Sequence, residues 1–282
     1  MAEQLGRTIA MFGDSGAGKT TQIGELAKYR YKLDKSRTLI HSADMGGYDS
    51  IMPLVRLGVV EVRTFDPAVD SIWTWIDTAV TNAEGFGVVA FDSATSMSES
   101  LLQSCAQLSA SGQDIGGRPA PKFKIKGQGD KTLNIGSNVD SHYMVVQSFM
   151  LDKIWKSTWM HRGGVDVVWT FSVHRGEKAD ETPVLGPKLA GKALTAAIPK
   201  WFNYTFRIAS IPTLDGAPEH VLYLQEQSDI SGAVSFGNSR YPLDATTALP
   251  ASIKPASIIE ALTLIEAGQV EADEALKEEL GM

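Results

Sequence analysis

The chain has a single cysteine, Cys105, in 282 residues. That excludes an intramolecular disulfide and a cysteine-based metal site, and it suits a reducing cytoplasm, the expected compartment. Cys105 itself reads as a small hydrophobe on a helix. Long apolar runs are also lacking: no stretch approaches the roughly 20 residues that span a bilayer, so no membrane association is expected. Residues 1–7 carry no apolar core of the kind a secretory leader needs. No internal repeat is present. Excess positive charge is lacking as well, the net charge being −7, but the acids are unevenly placed. Between residues 256 and 282 seven of them (Glu260, Glu266, Glu271, Asp273, Glu274, Glu278, Glu279) face one base, Lys277, which leaves the remainder close to −1. The acidity therefore describes the end of the chain and does not exclude nucleic acid as a partner. An apolar share of 43% allows one large α/β domain with an appendage.

What is present is a strong motif near the start. Ile9, Ala10, Met11 and Phe12 lead into Gly13-Asp14-Ser15-Gly16-Ala17-Gly18-Lys19-Thr20, followed by Thr21. The octet fits G-x-x-x-x-G-K-[ST], a phosphate-binding loop. Glycines let the backbone wrap an anion with its N–H groups pointing inward. Lys19 adds a charge for the β- and γ-phosphates, and the Thr20 hydroxyl is suited to Mg²⁺. A helix over residues 21–30 would aim its positive end at the same place. A nucleoside triphosphate is the expected ligand, with Mg²⁺.

Further along, residues 37–42 read as a strand ending at Ala43-Asp44, 50–57 as a brief helix, 59–65 as a strand and 67–84 as a helix stopped by Gly85 and Gly87. Residues 87–93 (GVVAFDS) form a buried strand that delivers Asp92 to its C-terminal edge, where ligands of open α/β sheets sit. A helix over 94–108 follows. Residues 109–137 are polar and glycine-rich, with Arg118, Lys122, Lys124, Lys126 and Lys131 against Asp114 and Asp130. Lys122-Phe123-Lys124-Ile125-Lys126 alternates charge with apolar residues. It suits either a mobile element holding a nucleic-acid backbone, with Phe123 stacked on a base, or an edge hairpin guarded by lysines. Residues 139–161 are spaced for a long helix, and 165–173 form a buried strand reaching His174. A second polar loop over 175–200 follows, then closing strands over 201–208 and 221–225. Residues 1–242 make up the expected core, 243–255 a linker and 256–282 an acidic helical tail. The tail serves either solubility or, as a DNA-mimicking or partner-recruiting segment that competes with the basic loop, recruitment of a single-strand-binding or replication protein.

Strands alternating with helices give a doubly wound, mostly parallel sheet with helices on both faces. Asp44, Asp92 and His174 end successive strands. Asp44 is either a helix cap or the group that activates water; His174 is either a satisfied histidine or a γ-phosphate sensor.

This pattern resembles the RecA-like ATPases. More narrowly, S-V-H-R-G-E-K, L-G-P-K-L-A-G-K-A-L and W-F-N-Y-T-F-R-I are similar to phage-encoded RecA-like proteins of single-strand annealing and recombination. The resemblance spans residues 8–240. It implies Lys19, Asp44, Asp92 and His174 as catalytic residues, and Thr20 and Asp92 as metal ligands. It also implies a homo-oligomeric ring or filament with ATP at the subunit interface, a host cytoplasmic location, and single-stranded DNA facing residues 109–137 and 175–200. A neighbour-supplied cation is expected from Arg175, Lys188, Lys192 or Arg240. RecA itself has Glu at the position of Asp44 and Gln at that of His174. The shorter Asp44 must reach further or work through water, which points to weak intrinsic hydrolysis. Two alternatives share the phosphate loop: a partner-driven assembly or helicase-loader-like ATPase, and a small-molecule phosphotransferase.

Overall fold

In the computed structural model, residues 5–44, 46–110, 122–124, 132–134, 140–177, 183–190, 198–213, 216, 218–228, 234–235, 238–239 and 248–280 are described. The chain forms an α/β fold around one large sheet. Strands β1 (Thr8–Phe12), β2 (Arg37–Ser42), β3 (Val60–Thr64) and β4 (Phe86–Asp92) alternate with helices α1 (Lys19–Asp34), α2 (Met52–Arg56) and α3 (Ile72–Ala79). Helix α4 (Ala94–Ala110) precedes a small pair, β5 (Lys122–Lys124) and β6 (Thr132–Asn134), and α5 (Asp140–Thr158) follows. Then come β7 (Asp166–Phe171), β8 (Val173–Glu177), β9 (Pro183–Pro187), β10 (Tyr204–Pro212), β11 (Pro218–Tyr223), β12 (Gln227–Ser228), β13 (Val234–Ser235), β14 (Asn238–Ser239), β15 (Ser252–Ile253) and α6 (Ile258–Leu280).

The main sheet runs β15-β11-β10-β1-β7-β4-β2-β3, with β14 also on β10. From β10 to β3 every pairing is parallel; β11, β14 and β15 add antiparallel edges. The phosphate-loop strand β1 and the aspartate strand β4 are therefore not neighbours, because β7 lies between them.

Side-chain alternation divides two cores, as the period of a strand requires. Ile9 and Met11 face a layer with Ile23, Leu26 and Ala27 of α1. Ala10 and Phe12 face the opposite layer with Ile76 of α3, Met97 and Leu101 of α4, and Val146, Met150 and Ile154 of α5. Helices thus cover both faces of a sheet whose central strands β1 and β7 are buried throughout and β4 nearly so.

Several elements differ from the expectation, each for a local reason. The 67–84 helix is shorter: the Asp66 carboxylate accepts from the Ala68 N–H and its carbonyl from Val69 and Asp70, a separate turn before Ser71 goes extended (ψ 134°) and α3 begins. Helix α5 tightens into a 3₁₀ turn (Trp159–Gly163), closed by Gly164 at φ 77°. Part of the polar loop over 175–200 is an antiparallel hairpin, β8 on β9, whose glycines and prolines hid its strand character.

The end of the chain is also more integrated than a linker and tail. Ser252–Ile253 pairs with β11, and Ile258, Ala261, Leu262 and Ile265 belong to the α1-side core. Gln22 of α1 anchors the start of α6, donating to the Ala256 carbonyl at 3.0 Å and accepting from the Ile258 N–H at 2.7 Å. Each large aliphatic buried this way contributes about 1.5–3 kcal/mol. Past Val270 the helix is mostly exposed and carries Asp273, Glu274, Glu278 and Glu279 outward. Among the described residues, no helix is long and apolar enough to cross a membrane.

Candidate functional site

The C-terminal ends of β1, β7, β4 and β2 lie level with one another, since Phe12 pairs with Phe171, Phe91 with Trp169 and Ser42 with Asp92. Four strands therefore release their following residues at one place. Between them opens a cavity of about 680 Å³ lined by residues of the phosphate loop and by Asp44, Asp92 and Ser172.

The loop leaves β1 as the motif requires. Gly13 N–H donates to the Phe171 carbonyl at 3.1 Å, and a Cβ on Gly13 would lie 2.3 Å from the Ile208 carbonyl oxygen. Gly16 and Gly18 have φ of 75° and 99°, the left-handed region that other residues resist. Gly18 is the N-cap of α1, and no side chain caps that end. The first-turn amides of α1 are thus left for an anion rather than satisfied internally. Asp14, Ser15 and Ala17 complete the turn, with Ala17 buried, and Lys19, Thr20 and Thr21 open the helix along the cavity.

Lys19 Nζ donates to the carbonyls of Gly13 (2.8 Å) and Asp14 (2.9 Å), folded back over its own loop. Burial pulls its pKa below the ordinary lysine value, opposed by Asp92, Asp14 and Asp44. Asp92 is buried and accepts from Thr20 Oγ1 at 2.7 Å and from Thr170 Oγ1. Desolvation pushes its carboxyl above the usual range, against the pull of Thr170, Thr20 and Lys19. The Asp92–Ser93 peptide is cis. Beside it, Asp44 is held by its N–H donating to Ser42 Oγ at 3.2 Å, and its carboxylate lies 3.5 Å from Ser93 Oγ.

The chemistry of this donor set fits Mg²⁺. Among the described residues, Asp92 is hydrogen-bonded to hydroxyls alone, while Lys19 is engaged with backbone carbonyls, so a buried carboxylate stands beside the Thr20 hydroxyl without a described cation bonded to it. Hard oxygen ligands of this kind suit a cation that completes its shell with water and phosphate. Among the described residues no group of three or more His, Cys, Asp or Glu could enclose a metal by itself.

His174 is not brought into this cluster. Strand β7 stops at Phe171, and Ser172 rather than His174 lines the cavity; His174 sits two residues on, paired with Gly186 in the β8–β9 hairpin. Arg175 bridges Asp14 of its own phosphate loop at 3.2 Å, and Lys188 bridges Glu99 at 2.8 Å. Lys192 and Arg240 lie outside the described residues, as do Arg118, Lys126 and Lys131. Lys122–Lys124 pairs antiparallel with Thr132–Asn134, Phe123 opposite Leu133.

Ser172, Ser93 and Ser96 also line the cavity, and Thr170 holds Asp92 from beneath it; the motifs of the chain did not mark any of the four as site residues. Thr170 had a legible signal, a lone hydroxyl in the apolar run V-V-W-T-F. Its relevance depends on the pairing of β7 with β4, which no local pattern states. No family model matches the chain, and no curated protein matches it in sequence.

Proposed function

We propose that this chain is a Mg²⁺-dependent, RecA-like ATPase that acts on single-stranded DNA as a homo-oligomer in recombination or annealing. The observation that carries the reading is the Thr20–Asp92 contact of 2.7 Å at the shared end of parallel strands, beside a glycine loop that holds Lys19. In this reading the loop amides and Lys19 bind the β- and γ-phosphates, so that charge developing there in the transition state meets donors already in place. Thr20 and Asp92 would hold Mg²⁺, which would supply neutralisation of the phosphate charge. Asp44, in the same lining, aligns a water for in-line attack and takes its proton as the bond to the ADP oxygen breaks. Thr170 fixes the Asp92 carboxylate.

The Arg175–Asp14 pair ties the β8–β9 hairpin to the phosphate loop. Ser172 and Lys188 bracket the same hairpin, since the Lys188 N–H donates to the Ser172 carbonyl at 2.8 Å. A change in the loop on nucleotide binding is thereby passed to the segment proposed to face DNA. The deciding experiment is ATP hydrolysis with and without long single-stranded DNA at two salt concentrations. Stimulation that fades with salt is the expected result. A rate indifferent to DNA would transfer the assignment to a partner-driven ATPase.

A further inference from the structure

Ser172 is the one residue between the end of β7 and the start of the β8–β9 hairpin. It leaves the sheet beside the phosphate loop, because the Phe171 carbonyl before it accepts from the Gly13 N–H at 3.1 Å. Both of its backbone groups are engaged. The Ser172 N–H donates to Thr95 Oγ1 at 2.9 Å, and its carbonyl accepts from the Lys188 N–H at 2.8 Å. Thr95 Oγ1 in turn donates to the Lys188 carbonyl at 2.7 Å. Three hydrogen bonds thus close a ring through Thr95, Ser172 and Lys188, around a threonine that is 3% exposed.

The ring fixes the end of β9 to α4. Lys188 Nζ pairs with Glu99 at 2.8 Å, and the Ala190 N–H donates to Ser98 Oγ at 3.2 Å. Thr95, Ser98 and Glu99 are three and four residues apart, so one face of α4 holds the whole segment. Ser172 lines the phosphate cavity, and with its N–H and carbonyl committed, its hydroxyl is the polar group it has left to offer there. Among the described residues that hydroxyl makes no hydrogen bond.

Building on the ATPase reading above, we infer that the Ser172 hydroxyl donates to the terminal phosphate of a bound nucleoside triphosphate, and that the Thr95 ring carries its position to the hairpin. Thr170, two residues earlier in the chain, bonds Asp92, which in that reading lies at the β–γ end of the phosphates. The next polar side chain out of the sheet is Ser172. A hydroxyl given to a charged oxygen makes one of the stronger hydrogen bonds, and a diphosphate would leave it without its acceptor. Ser172 thereby takes the task of telling ATP from ADP, expected of His174, which the fold places in the hairpin instead.

The test is calorimetry of the full chain with ADP and with a non-hydrolysable β,γ-imido triphosphate, both with Mg²⁺. Ser172→Ala keeps the ring, which uses only the backbone of that residue. It is expected to weaken the triphosphate about tenfold while ADP affinity stays native, and Ser172→Thr should restore the difference. Amide hydrogen exchange over residues 173–177 and 183–187 should slow with the triphosphate and not with ADP. In Thr95→Val the triphosphate should still bind without slowing that exchange, and Thr95→Ser should recover it. Native preference for the triphosphate in Ser172→Ala overturns the assignment and leaves the proposed ATPase standing. Exchange that answers both nucleotides alike in the native chain overturns the coupling through Thr95. A native chain that binds neither nucleotide takes the proposed function down as well.

Discussion

Two buried aspartates mark the two ends of the same sheet, and their partners differ. Asp166 begins β7 at the N-terminal edge. It accepts the Arg7 N–H at 2.9 Å, and its carboxylate lies 3.4 Å from Arg30 and 3.6 Å from Arg7, which also pairs with Glu266 of α6. Asp92 ends β4 at the C-terminal edge and is bonded to two hydroxyls. Burial raises both carboxyl pKa values. At the N-terminal edge the charge is answered by two arginines and the cluster closes on itself, stapling the region before β1 to β7, α1 and α6. At the C-terminal edge hydroxyls orient the carboxylate, and the nearest cation, Lys19, is engaged with backbone carbonyls. A buried acid with its own cations suits a structural element; one held, among the described residues, by hydroxyls beside an uncapped helix start suits the binding role proposed for it.

The comparison can be broken most directly at the cavity. Lys19→Ala should abolish detectable nucleotide binding, and Asp92→Asn should lower ATP turnover by about 10²–10³-fold while the fold persists. Calorimetry and steady-state turnover read the two effects, and tight nucleotide binding retained by Lys19→Ala would falsify the site. At the opposite edge, Asp166→Asn should cost about 3 kcal/mol in denaturant unfolding, because Arg7 and Arg30 lose their buried counter-charge. ATP affinity should not move. A variant that loses nucleotide binding without losing stability would erase the distinction between the edges.

Between them, His41 gives a pH-dependent control. It is buried, stacked 5.5 Å from Phe91, with neither ring nitrogen hydrogen-bonded. Burial, reinforced by Arg63, lowers its pKa from 6.5 to about 4. The unfolded chain therefore takes up this proton first as pH falls. The stabilisation is whole above pH 6.5 and is lost toward pH 4, an effect of up to about 3 kcal/mol. His41→Phe should flatten that part of the stability profile, and an unchanged slope in the variant would show that other groups carry it. The smallest effect is expected from Arg175→Ala. Both partners of the Arg175–Asp14 pair are about two-thirds exposed, so stability should change by less than about 1 kcal/mol. Any DNA stimulation of hydrolysis should weaken, since the hairpin loses its tie to the phosphate loop.

Much of this architecture was legible in the chain. The glycine loop announced itself because its backbone conformation needs glycine at fixed spacing, as Gly16 and Gly18 show. The buried strands over residues 8–12, 86–92 and 166–171 were equally clear, because strands covered on both faces are written as continuous apolar runs. Asp92 could be named for the same reason, as the acid that ends such a run. These are local signals, fixed by what a short segment can do with its own backbone and side chains.

Tertiary structure decided the rest. The insertion of β7 between β1 and β4 made Thr170 a partner of Asp92, and the end of β7 at Phe171 left Ser172 at the cavity while His174 moved into a hairpin. The start of α6 joined the core because Gln22, more than 230 residues away in sequence, satisfies its first backbone groups. Strand order, register and docking depend on contacts between distant segments, and no window of sequence contains both partners. The sequence by itself determined the phosphate loop, the parallel strands and the acid at their edge; which side chains face one another across that edge belongs to the fold.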